Sequence, residues 1–244
     1  MLATQRGIQS VEIAGQILDA ICSSDKPLSL SQIAEHLNMA PGSAHIYLVS
    51  LTRTGLLKRN EVSLEYEPGA LILRLGISHF DHYPTLTKAK EKISALAHQY
   101  HLNVFLSLWS DEGPTVVFYR ENAGFLNVSF KLGITLPLLD TTTGQLFCAF
   151  RDTALLSELL ARKNQDLKLF QSSAFQKKLK KIKQDAYVVT ENLPTNGITA
   201  ITVPVFDADQ NVNLALTIFN ETIKLDKASV SKIVNDLKQI AAEL

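Results

Sequence analysis

The residues of this chain that could hold a metal or move protons are mainly its histidines. His98 and His101 are three residues apart on a predicted helix, a spacing that could clip a metal ion, although a solvent-facing or interface pair is the more frequent arrangement. His79 and His82 flank Asp81 in a polar stretch, and we assign them to the surface. No H-E-x-x-H pattern connects any of the six histidines. The sequence therefore predicts no metal site.

Covalent catalysis would need an activated nucleophile, and the sequence shows none of the usual arrangements. It contains no G-x-S-x-G elbow, no Walker loop and no paired cysteines. Cys148 lies in the apolar run QLFCAF and is expected to be a small buried residue, not a reactive thiol. We therefore expect a protein that is not an enzyme and that uses no cofactor.

A binding site is the better candidate, and it lies at the segment TTTG, Thr141 to Gly144. This segment precedes a helical pattern, so its backbone N–H groups and the positive end of the helix dipole would favour a carboxylate or another anion. The simpler alternative is that Thr141 only caps the helix, which is compatible with ligand binding.

The composition restricts the class of protein. The 244 residues suggest one or two domains, since single cores stop growing near roughly 250 residues. No apolar run approaches the about 18 residues of a membrane span, and no signal peptide is expected at the start. With two distant cysteines and no disulfide framework, we expect a cytoplasmic protein. Residues 1–75 carry six basic and seven acidic side chains, a net charge of −1 that disfavours strong non-specific DNA binding.

Residues 1–76 show the pattern of a winged helix-turn-helix. A helical apolar stripe runs through SVEIAGQILDAI, from Val11 to Ile21. Ser29 with Gln32 forms a capping-box pattern that starts a second helix. Pro41 suits the first position of a third helix, which Gly55 ends. LLKRNEVSLEYEPG then predicts a β-hairpin, or wing.

Residues 85–244 predict a second domain, after a linker at 77–84. It begins with a helix around Leu86 to Ala97 and continues with the strands VFLSLWS, TVVFYREN and LNVSFKLG. Helices follow, and ITAITVPVFD and NLALTIFN close the sheet before a terminal helix. Most neighbouring strands are joined by hairpins, so the fold class is α+β with an antiparallel sheet. The lysines of KKLKKIK are expected to form a solvated helix face, because Phe175, Leu179 and Ile182 stripe the other side.

The order of these elements resembles the IclR family of bacterial transcriptional regulators over nearly the whole chain. In the first domain the resemblance rests on the helix pattern and on positions such as Ser43, His45 and Gly55. In the second it rests on KLGITLPLLDTTTGQLFCAF and on AYVVTENLPTNGITAITVPVFD. The resemblance implies a DNA-binding domain, a GAF-like effector domain, and a homo-oligomer, either a dimer or a dimer of dimers.

The third helix departs from the family pattern in charge. Members commonly carry Lys or Arg at the positions where this chain has Pro41, Ile46 and Val49. The loss of these cationic side chains removes several phosphate and guanine contacts. We expect double-stranded DNA as the partner; an apolar protein interface, as in a non-DNA-binding adaptor, is the alternative. The side chains expected to contact DNA are Ser43, His45, Tyr47, Ser50, Arg53, Lys58 and Arg59.

The resemblance also implies an effector pocket at the TTTG segment. Phe219 stands where a small hydroxyl residue is common, so the pocket is expected to be smaller, more apolar or partly filled. A small-molecule effector, with a carboxylate as one candidate, would meet residues from the helix, the loop and the last strands. These residues are Leu132, Thr142, Thr143, Leu146, Glu191, Ala200, Thr217 and Phe219.

Overall fold

The computed structural model describes residues 7–80, 83–121, 131–190, 198–221 and 227–244. The chain divides into two compact units, Met1–Tyr83 and Pro84–Leu244. No helix among the described residues is long and apolar enough to cross a membrane.

The first unit is a winged helix-turn-helix, as predicted. Ser29 accepts from the backbone of Gln32 and the Gln32 side chain accepts in return, which completes the capping box. Pro41 occupies the first turn of the third helix, and Gly55 adopts a φ of 77° just beyond its end. The elements are α1 (Gln9–Ser23), α2 (Leu30–His36), α3 (Pro41–Arg53), β1 (Leu57–Arg59) and β2 (Tyr66–Pro68).

One core joins the three helices to the wing. Ile17 and Ile33 are fully buried in it with Leu48, while Tyr66 brings in the second wing strand. The spacing predicts Val11 on the buried stripe of α1, but Val11 is 64% exposed, since the buried residues of α1 begin at Ile17.

A fourth helix, α4 (Ala70–Phe80), completes this unit. Its last turn occupies the first half of the segment predicted to link the two domains. None of its residues is buried, and four of its large apolar side chains are exposed: Leu73, Leu75, Ile77 and Phe80.

The second unit is built on a five-stranded antiparallel sheet of order β4-β3-β7-β6-β5. The predicted α+β class is therefore confirmed. The predicted strand LNVSFKLG lies mostly outside the described residues. The elements are α5 (Pro84–Tyr100), β3 (Asn103–Ser110), β4 (Gly113–Arg120), α6 (Thr142–Phe150), α7 (Thr153–Arg162), α8 (Leu167–Gln171), α9 (Ser173–Asp185), β5 (Val188–Thr190), β6 (Ile198–Phe206), β7 (Val212–Glu221) and α10 (Lys227–Ala242).

Helices cover both faces of this sheet. Strand β6 is buried from Ile198 through Val205 without alternation, which requires a cover on each side. Helices α5 and α10 contact each other and cover one face, while α6 to α9 form the core on the other. The apolar stripe of α9 is confirmed, since Phe175, Leu179 and Ile182 are buried and the lysines between them are exposed.

Candidate functional site

The exposed side of α3 is set by the burial of its opposite side. Ala44, Leu48 and Leu51 lie in the core, so the residues between them turn outward. Ile46 is the most prominent of these, with 69% of its surface exposed.

The residues predicted to contact DNA do not all present a free polar group. Ser43, His45 and Arg53 are exposed on α3. Ser50 is exposed, but its hydroxyl donates to the Ile46 carbonyl at 3.1 Å. Tyr47 is only partly exposed, because it packs against the core of the first unit.

The two cations of the wing are exposed but engaged with the wing itself. Lys58 Nζ lies 3.0 Å from Glu67 Oε1 across the hairpin. Arg59 Nε donates to the Leu64 carbonyl at 3.4 Å, and its guanidinium lies 5.7 Å from the centre of the Tyr66 ring. Residues 57–68 contain two basic and three acidic side chains, so the wing has a net charge of −1.

In the second unit, the TTTG segment begins α6 as predicted. Thr141 is the N-cap, and its hydroxyl accepts from the Gly144 N–H at 2.9 Å. Gly144 is needed for packing: a Cβ there would lie 2.5 Å from the Leu138 carbonyl oxygen and 2.6 Å from Leu138 Cα. The start of α6 is thus held directly against the preceding segment.

A buried cluster of four threonines joins α6 to the sheet. Thr202 Oγ1 donates to Thr142 Oγ1 at 2.8 Å. Thr217 Oγ1 lies 3.0 Å from Thr202 Oγ1 and also 3.0 Å from Thr143 Oγ1. Each hydroxyl has one proton, so Thr217 donates to Thr202, and Thr143 donates to Thr217 at 3.0 Å, with Thr202 as a longer alternative acceptor at 3.5 Å. The bonds run in one direction, from Thr143 through Thr217 and Thr202 to Thr142. Two of the predicted effector residues, Thr143 and Thr217, therefore bond to each other.

An apolar patch adjoins this cluster on the same face of the sheet. Phe219 is 2% exposed, pairs in register with Ala200, and packs against Phe105 and Tyr119 with ring centroids 5.7 Å and 6.3 Å apart. Burial, and to a lesser degree the charge of Glu121, raises the pKa of Tyr119, so its hydroxyl keeps its proton at neutral pH. This patch is aromatic and close to the start of α6.

The remaining predicted effector residues lie in different surroundings. Leu146 is fully buried in the core under α6, whereas Leu132 is 59% exposed. Glu191 lies outside the described residues.

Several residues of this site are not among those predicted from the sequence. Thr202 lies two residues after Ala200, so strand alternation alone places both on one face. Phe105 pairs with Thr217 across β3 and β7, a long-range relationship that sequence spacing does not give. The hydroxyls of Ser107 and Thr190 are buried on this face and have no hydrogen-bond partner among the described residues.

The described part of the chain has two further kinds of group that could do chemistry, metal-ligating side chains and thiols. It contains no set of three or more His, Cys, Asp or Glu side chains that could hold a metal ion. Burial raises the pKa of the Cys148 thiol to about 12, so this thiol is inert at neutral pH.

Comparison with known proteins gives matches along nearly the whole chain. The IclR helix-turn-helix domain model matches residues 10–61, and the model of the bacterial transcriptional regulator IclR C-terminal domain matches residues 78–244. The chain is 26% identical over 204 residues to the glycerol operon regulatory protein of Streptomyces coelicolor, covering 83% of this chain and 80% of that protein.

Solved structures share the fold over a similar extent. An IclR transcriptional regulator from Alicyclobacillus acidocaldarius matches with a TM-score of 0.78 and 21% identity, covering 98% of each chain. An IclR homolog from Microbacterium hydrocarbonoxydans, complexed with 4-hydroxybenzoate, matches with a TM-score of 0.78 and 14% identity, covering 96% of each chain.

Proposed function

The chain belongs to the IclR family of bacterial transcriptional regulators, and we propose that it controls transcription by binding operator DNA in response to a small molecule. The helix-turn-helix unit would bind the duplex, and the sheet unit would bind the effector. Since the target is chromosomal DNA, we place the protein in the cytoplasm.

The observation that carries the DNA-binding proposal is the exposed side of α3 next to an intact wing. Ser43 and His45 are exposed there and would meet base edges, with the exposed part of Tyr47 beside them. Arg53, Lys58 and Arg59 would contact phosphates. Because the wing carries a net charge of −1, we expect DNA binding to require low salt and several copies of the chain bound to the same duplex.

We place the effector between the start of α6 and the aromatic patch. The helix end would offer N–H donors to an anionic group, and a planar apolar body would rest on the half-buried Tyr119 ring or enter between it and the buried rings of Phe105 and Phe219. The buried hydroxyls of Ser107 and Thr190 would supply polar anchors in place of the engaged threonines. Glu191 stays an expected contact. The relative complexed with 4-hydroxybenzoate makes an aromatic carboxylate the first class to test.

We further propose that the protein works as a homodimer or a dimer of dimers. Helix α4 supports this, because it buries none of its residues and exposes Leu73, Leu75, Ile77 and Phe80. Two copies would place two helix-turn-helix units on half-sites about one helical turn or more apart. A monomer by light scattering at micromolar concentration would contradict this proposal.

One observation favours a second function, that of an adaptor which binds protein through α3. Ile46, at the middle of the exposed side, presents an apolar group where a DNA-contacting helix usually carries a cation. An adaptor would retain no DNA at any salt concentration.

The deciding experiment is selection of bound duplexes from random DNA, followed by affinity measurements on the enriched sequence. These would be made from 50 to 200 mM salt, with and without a panel of aromatic carboxylates. A regulator shows an enriched motif, a steep salt dependence and a shift with at least one carboxylate. Absence of enrichment at the lowest salt would reject DNA binding.

A further inference from the structure

A groove of about 880 Å³ lies between α9, β5 and α10 in the second unit. It lies beside β5, the last strand in the sheet order of the described residues. Its lining includes the buried side chains of Val188 and Val234 and the ring of Tyr187. Pockets for small molecules have volumes of roughly 300 to 1,000 Å³, so this groove has a suitable size.

Three of the four charged side chains that line the groove are lysines. Lys178 and Lys181, one helical turn apart on α9, face Lys238 on α10. Asp185 is the acidic residue of the lining, so the lining has a net charge of +2 in a chain whose formal charge is zero. The charge of the groove is therefore a local feature and not a consequence of a basic protein.

Neighbouring groups position the ammonium group of Lys238 without neutralising it. Lys238 Nζ donates to the backbone carbonyl of Asp185 at 2.6 Å and lies 4.9 Å from the centre of the Tyr187 ring. Partial burial lowers the pKa of Lys178, so its charged form has lost part of its hydration. No ion pair between described residues involves Lys178, Lys181 or Lys238. A ligand anion would restore the lost electrostatic stabilisation.

We propose that this groove binds a small organic anion with two or more negative charges, carried by carboxylate or phosphate groups. The three lysines would hold the anionic groups, as ammonium groups do in phosphate and carboxylate sites. Valine side chains and the Tyr187 ring would contact the body of the ligand, and Asn235 would add a hydrogen bond. The site uses none of the residues proposed to hold the effector beside α6.

Helix α9 itself supplies a matched control. Lys177 and Lys180 are exposed on the same helix but do not line the groove. Replacing either pair of lysines by Gln changes the total charge equally. Any difference between the two double variants therefore reports on the groove and not on net charge.

The experiment is isothermal titration calorimetry of the full chain with two probes, citrate and fructose 1,6-bisphosphate. At least one probe should bind the wild type, and the combined change K178Q and K181Q should weaken that binding by about tenfold or more. The combined change K177Q and K180Q should leave it within about twofold. Comparison of the two probes shows whether carboxylates or phosphates are preferred.

Three outcomes would overturn the proposal. One is that neither probe binds the wild type at millimolar concentration. Another is that the two double variants lose affinity equally, which would indicate diffuse attraction to a basic helix. The third is that Thr143→Val, beside α6, abolishes probe binding while K178Q with K181Q does not. Failure to bind DNA would leave this proposal unaffected.

Discussion

The hydroxyl of Thr143, at the start of α6, lies 3.0 Å from the hydroxyl of Thr217 in the sheet. Both side chains are fully buried, and their bond continues through Thr202 to Thr142. A buried polar network is stabilising only while each of its members is satisfied. The threonines therefore fix α6 on the sheet and bring its N-terminus next to the aromatic patch around Phe219.

Thr217 lies in the middle of this chain of hydrogen bonds, whereas Thr143 lies at its beginning. Removal of the two hydroxyls should therefore lower the free energy of unfolding by different amounts. Thr143→Val should lower the free energy of unfolding by about 0.5–1.5 kcal/mol, the value of one hydrogen bond. Thr217→Val should cost about 1–3 kcal/mol, because it removes two of the bonds and leaves the buried Thr143 hydroxyl only its 3.5 Å contact with the Thr202 hydroxyl. Denaturant titration of the full chain measures both. Valine has the shape of threonine and lacks only the hydroxyl, so unchanged stability of both variants would contradict the network.

The ion pair between Lys58 and Glu67 should limit DNA affinity. Glu67→Gln removes a negative charge from the wing and frees Lys58 for a phosphate, so the salt dependence should steepen by about one unit. Affinity should rise for all sequences alike. The exposed Glu158 lies in the second unit, and Glu158→Gln makes the same change in net charge. If both variants bind DNA equally well, the wing does not contact phosphate.

Removal of both wing cations should have the opposite effect. Lys58→Ala with Arg59→Ala should weaken binding to all sequences and flatten the salt slope by about one to two units, according to how many phosphate contacts are lost. Fluorescence anisotropy on the selected operator and on an unrelated duplex would measure this. Unchanged affinity on both duplexes would show that the wing contact is wrong.

The parts of the molecule that the sequence predicted are those fixed by local interactions. The bonds between Ser29 and Gln32 span three residues, and the spacing of Ala44, Leu48 and Leu51 follows from one helix. Helical and strand periodicities, with caps and turn residues, are sufficient for such features. The order of elements then indicated the α+β class.

The parts that could not be predicted depend on register between distant segments. Thr202 meets Thr142 across 60 residues, and Phe105 meets Phe219 through the pairing of β3 with β7. The wing pair is an intermediate case. Lys58 faces Glu67 only because of the hairpin register, which the sequence of the turn left undetermined.

The two cysteines should differ sharply in reactivity. Cys22 is exposed, whereas burial raises the pKa of Cys148 to about 12. At pH 8 only about one Cys148 thiol in 10,000 is therefore in the thiolate form. A disulfide reagent such as DTNB should titrate one thiol per native chain at pH 8 and two in denaturant. Because folding raises the pKa of Cys148, the unfolded chain loses this proton first, and the free energy of unfolding falls only as the pH rises above about 9. Rapid reaction of two thiols in the native protein would contradict this burial.

The close packing of Gly144 against Leu138 gives the last prediction. A methyl group at this position would meet backbone atoms of Leu138 at 2.5 and 2.6 Å, and backbone cannot move aside as the end of a flexible side chain can. Gly144→Ala should therefore destabilise the second unit by about 1–3 kcal/mol or more, as overpacking does in well-filled interiors. At Gly15, in the middle of α1, such a methyl group would meet nothing within 4 Å beyond the neighbouring residues and backbone of its own helix, so Gly15→Ala should stabilise the first unit by about 1 kcal/mol through helix propensity. Thermal unfolding followed by calorimetry would compare the two variants with the wild type.

Because the site proposed for the effector begins at α6, Gly144→Ala should also reduce the effector response at temperatures where the protein remains folded. A Gly144→Ala protein with unchanged stability would show that the start of α6 is not held against Leu138.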